Sequence, residues 1–113
     1  MQKQALLAAV LVSGALAFVA SPVLAGGNAH VHEAISHAEE AVEHGGMGHA
    51  DAIVEHAVVA LGHAQAAQKE MKNPHLDEGV HELEEAINHG KQGHAGVATD
   101  HAKGAVMHLK EVH

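Results

Sequence analysis

Shifting the sequence against itself by 45 residues lays positions 30–63 on 75–108, and 14 of the 34 pairs are identical. A repeat of that length holds one supersecondary unit, so the chain must build its fold from two copies of the same piece. Each copy reads as a periodic segment, a short glycine-bounded turn and a second periodic segment. The turns are His44-Gly45-Gly46-Met47-Gly48-His49 and His89-Gly90-Lys91-Gln92-Gly93-His94. Val31, Ile35, Ala38 and Val42 recur at helical intervals, and Leu76, Val80, Leu83 and Ile87 repeat the set. Each copy is therefore expected to be a helical hairpin. Two hairpins with narrow apolar stripes bury them most simply as an all-α, up-down four-helix bundle.

Helix signals place the boundaries near 29–44, 49–71, 74–89 and 94–111. Gly45 and Gly90 stand where a left-handed C-terminal cap is wanted. Asn73-Pro74 supplies an N-cap followed by proline at the first helical position, with Asp77 and Glu78 near the positive helix end. The fourth helix has the weakest intrinsic support, because Gly96, Thr99 and Gly104 lower its propensity.

Residues 1–25 read as a secretory signal peptide: Lys3 in the n-region, an apolar stretch from Ala5 to Ala20, and Val23-Leu24-Ala25 as the cleavage site. The alternative, a retained membrane anchor, is disfavoured because the run contains Ser13 and Gly14 and falls short of a usual span. Cleavage after Gly27 would instead expose Asn28-Ala29-His30, an amino-terminal arrangement suited to square-planar Cu(II). Residues 26–113 are the expected domain, an exported one with no membrane attachment after cleavage. They hold 16 Ala, 5 Lys against 14 acidic residues, and no Phe, Tyr or Trp, since Phe18 lies in the leader.

That composition excludes several functions. Without Cys there is no disulfide, thiolate zinc site, iron–sulfur cluster or cysteine nucleophile. A formal charge of −8 with no Arg argues against a nucleic-acid partner, which requires a basic patch. No zincin motif is present, because His32-Glu33 and His37 are separated by three residues rather than two. A di-iron carboxylate bundle needs two Glu-x-x-His helices, and only Glu78-Gly79-Val80-His81 fits. An aromatic-free core does not describe a haem pocket, and Ser36 and Thr99 are the only hydroxyl side chains after the leader. The expectation is a protein that is not an enzyme.

What remains conspicuous is 14 His. His30, His37 and His44 are seven apart, as are His49, His56 and His63, and His94, His101 and His108; the third helix keeps His75 and His89 with Glu82 between them. A spacing of seven returns to nearly the same helix face about 10.5 Å along, too far for two rings on one helix to share an ion. In an antiparallel hairpin, residues at equal height have a constant number sum. His44/His49, His37/His56 and His30/His63 share one such sum, and His89/His94, Glu82/His101 and His75/His108 share another. These stripes turn either toward a common groove or away from it, and periodicity does not choose. Glu33 and Glu40 lie three or four residues from ladder histidines and can share their face. Imidazole with carboxylate suits divalent first-row metals, Cu(II) first, with Ni(II) and Zn(II) behind it. His32, His81 and His113 fall outside the pattern and are expected to be solvated.

The paired His-Gly-x-x-Gly-His turns, the Glu-Glu-Ala-[Val/Ile] runs and the heptad histidines resemble the periplasmic small metal-binding proteins of ammonia-oxidising bacteria. The likeness spans essentially the whole chain after the leader. It implies a small monomeric four-helix bundle that binds several divalent ions, copper foremost, and sequesters or buffers them. Glu82 departs from the histidine pattern. The competing expectation, from a different class, is a pH-responsive interaction module, since many imidazoles change charge near pH 6.5.

Overall fold

The computed structural model describes residues 28–113; the expected signal segment and both candidate cleavage positions lie outside them. The chain forms α1 (Ala29–Gly46), α2 (Ala50–Gln68), α3 (Pro74–Lys91) and α4 (Ala95–Lys110), and no strand occurs among the described residues. Each helix packs on its two chain neighbours or, for α1 and α4, on each other, while the diagonal pair α2 and α4 barely meets. The result is the expected up-down bundle. None of the four helices is long and apolar enough to cross a membrane.

Asparagine starts both odd helices. The Asn28 side chain accepts from the His30 and Val31 amides, and Asn73 accepts from those of His75 and Leu76. Each cap satisfies two of the amides that a helix start leaves unpaired, a contribution of about 1 kcal/mol. By contrast, α2 and α4 begin at His49 and His94, whose side chains make no capping bond. Those rings are left free for the neighbouring helix.

The turn glycines act differently from the expectation. Helices α1 and α3 continue through Gly45 and Gly90, and the left-handed residues are Gly48 (φ 77°) and Gly93 (φ 80°). Gly45 and Gly90 are instead points of close helix approach. A Cβ on Gly45 would overlap the Thr99 hydroxyl of α4, and one on Gly90 would come 2.6 Å from Val54 Cγ2 of α2. The 45-residue shift equates these two contacts, so the hairpins dock on each other through the same pair of positions used twice.

Alanine dominates the core. Ala34, Ala38 and Ala41 of α1 are fully buried, as are Ala57, Ala60, Ala64 and Ala67 of α2; among the described residues the large, fully buried side chains are only Ile53, Leu76, Leu83 and Leu109. The α1 stripe is consequently rotated from the one that hydropathy suggests: Ile35 and Val42 pack at its edge rather than its centre. Small side chains let the helix axes approach, and the larger aliphatics close the seam from the flanks. Packing also overrides the weak propensity of α4, where buried Thr99 donates its hydroxyl to the Ala95 carbonyl at 2.6 Å.

Gly45→Ala should lower unfolding stability by about 1–3 kcal/mol through overpacking. Gly46→Ala, whose Cβ meets nothing within 4 Å, should leave stability unchanged or slightly raise it. Urea denaturation of both variants checks the pair, and equal effects would contradict docking through Gly45.

Candidate metal sites

The histidine stripes turn inward to the α1–α2 and α3–α4 grooves. His30 faces His63 with ring centroids 5.3 Å apart, His37 faces His56 at 6.3 Å, and His44 faces His49 at 6.1 Å. In the second hairpin His75 faces His108 at 5.6 Å and His89 faces His94 at 5.9 Å, while Glu82 accepts a hydrogen bond from His101 Nδ1 at 2.7 Å. All eleven ladder histidines therefore meet a partner across the groove. His32, His81 and His113 are exposed, and His32 and His113 border a cleft with Met71 at one end of the bundle.

The rungs are not separate. His63 also stacks on His37 at 5.9 Å with planes 4° apart, and His56 stacks on His44 at 4.9 Å. His101 does the same with His89 at 5.3 Å. The cause is the tilt of every Cα–Cβ bond toward its own helix N-terminus. Antiparallel neighbours tilt oppositely, so a ring on α2 rises between two rings of α1. The first groove thus holds one zigzag of six imidazoles rather than three rungs about 10.5 Å apart.

Carboxylates complete three clusters in which every residue offers a ligand atom within 4.8 Å of the others: Glu33/His37/His63, His37/Glu40/His56 and Glu85/His89/His101. Glu40 Oε1 lies 3.1 Å from Nδ1 of both His37 and His56. Glu33 and Glu85 reach Nε2 of the histidine one turn ahead, at 3.8 Å from His37 and 3.7 Å from His89. His30, His44, His49, His75, His94, His108 and Glu82 stand beside these clusters without belonging to one. Glu85 was missed by spacing alone, although the repeat contains the signal: it is the counterpart of Glu40 and lies four before His89.

The groove is short of hydrogen-bond partners. Nδ1 of His37, His44 and His89 is buried and makes no hydrogen bond. For His37 this holds despite the nearby Glu40 oxygen, which therefore stands off the ring N–H axis. Donor atoms about 2.9–3.4 Å apart and not bonded to each other are spaced like neighbouring ligands around one ion with metal–nitrogen bonds near 2.0 Å. Meanwhile the ring planes remain half-exposed along the groove, with the side chains of His37, His56, His89 and His101 28–31% accessible. Burial pushes the His63 pKa below its ordinary value near 6.5, with the neighbouring His30 and His37 acting in the same direction and Glu33 opposing them. A neutral ring keeps a lone pair for a metal.

Compared with known proteins, the chain matches the family model described as small metal-binding protein over residues 2–112. A search of curated proteins finds no match.

Because its folded value lies below the unfolded one, His63 contributes stability that is whole above pH 6.5 and is lost as pH falls below that value. Imidazole NMR of the metal-free chain should show His63 titrating below 6.5, and Glu33→Gln, which removes the opposing charge, should lower it further. A value above 6.5 would contradict burial as the governing term.

Proposed function

The chain belongs to the small metal-binding protein family, and from that premise we propose that it is an exported monomer that binds several divalent ions in its two grooves. Cu(II) is the foremost ligand, with Ni(II) and Zn(II) behind it, and the role is to buffer, store or detoxify these ions in the periplasm without catalysis. The observation that carries this reading is the concentration of eleven histidines and four carboxylates along two half-open grooves. Imidazole and carboxylate oxygen together match the borderline character of Cu(II), and the absence of Cys removes the soft ligand that a cuprous carrier would use. Half-exposure suits exchange, since ions enter and leave from the side without unfolding. The signal-like leader and the acidic surface support export and attraction of cations.

Metal that binds across a groove ties two helices together and stabilises the folded state by mass action. Free Cu(II) a hundredfold above its dissociation constant should raise the melting temperature by about 10 °C or more. His56→Ala should reduce that shift, and His113→Ala should leave it intact. Calorimetry checks this: a binding titration saturating at one equivalent, or equal effects of the two substitutions, would contradict the groove as the binding surface.

A further inference from the structure

His37 belongs to two of the three ligand clusters at once. Its two ring nitrogens are turned to opposite carboxylates: Nε2 lies 3.8 Å from Glu33 and Nδ1 lies 3.1 Å from Glu40. His63 completes the set on the Glu33 side and His56 the set on the Glu40 side. The rings of His63 and His56 flank that of His37 at 5.9 and 6.3 Å, with planes 4° and 24° from it. The other atoms at hand are thus distributed one imidazole and one carboxylate to each side. The geometry points to a dinuclear Cu(II) site in the first hairpin, bridged by the His37 ring, with Glu33 and His63 on one ion and Glu40 and His56 on the other. This deepens the metal-binding reading and rests on it.

A neutral imidazole has one lone-pair nitrogen and one N–H. The first ion takes the lone pair; the second takes the other nitrogen, whose proton leaves to water, so that the bridge is an imidazolate. No electron is transferred. With metal–nitrogen bonds near 2.0 Å at each end of the ring, the ions stand about 6 Å apart. Imidazolate, Glu33 and Glu40 then place three negative charges against four positive ones, which makes adjacent occupancy tolerable. The buried, unbonded Nδ1 of His37 is the nitrogen nearest Glu40, whose Oε1 lies equally close to Nδ1 of His56.

The second hairpin supplies an internal contrast. Glu82 occupies the position that the 45-residue shift equates with His37. A ring with two opposed nitrogens is therefore missing there, and Glu82 is committed to His101. The cluster Glu85/His89/His101 remains, as a site for one ion.

The test is low-temperature EPR of the purified chain titrated with Cu(II), with bound copper measured chemically on the same samples. Exchange through an imidazolate bridge pairs the two spins, so at saturation the spin count should fall short of bound copper by two ions per chain. In His37→Ala, with helicity verified by circular dichroism, spins and copper should agree at every loading. His101→Ala, which alters the other hairpin, should keep the deficit of two. The bridge is overturned if the unsubstituted chain shows no deficit, or if the deficit survives in His37→Ala. Failure to bind Cu(II) at all would instead remove the groove reading on which the bridge depends.

Discussion

Close approach of helices across alanine and glycine is the constraint on which the remaining structure depends. With no Phe, Tyr or Trp and only four large, fully buried side chains among the described residues, the bundle gains its packing from contact between backbones. Ala34, Ala38 and Ala41 meet their neighbours directly, and Gly45 and Gly90 remove the last Cβ where the hairpins dock. Side chains that do not fit between such close axes are displaced to the flanks. There the ladder histidines line the two intrahairpin grooves.

That placement determines the chemistry. A histidine in the core would need two hydrogen-bond partners in an apolar setting, and one on the open surface would be surrounded by water. In the groove it is half-buried, neutral by preference at His63, and opposed by a second ring. His49 and His94 take N-cap positions without capping, so local helix stability is given up where a ring is presented across the groove. Seven-residue spacing keeps the stripe on the seam of the pair. The opposite tilt of side chains on antiparallel helices then merges the rungs into a continuous track, in which two of the candidate clusters have His37 in common.

Much of this was legible in the sequence. The 45-residue repeat, the helical spacing of Leu76, Val80, Leu83 and Ile87, and the constant number sums led to the bundle and to the facing histidines. Periodicity could not choose the groove, because rotation of a helix about its axis depends on which residues its neighbours accept, and here alanine rather than Ile35 and Val42 set the centre of the α1 face. Gly45 looked like a cap because cap and close-contact glycines are chemically identical; only the position of Thr99 separates the two roles. Cα heights alone give rungs about 10.5 Å apart, whereas the Cα–Cβ tilt staggers the rings between them. Glu85 becomes legible only when the 45-residue shift carries Glu40 and His44 onto Glu85 and His89.

In the proposed function, ions are held by the groove histidines and not by histidine content in general. Long-range proton–nitrogen NMR of the imidazoles, titrated with diamagnetic Zn(II), reads each ring nitrogen separately. His37, His56, His63, His89 and His101 should shift at the lowest loadings while His32, His81 and His113 stay in place. Simultaneous movement of all 14 rings, or earlier movement of the three exposed ones, would contradict it.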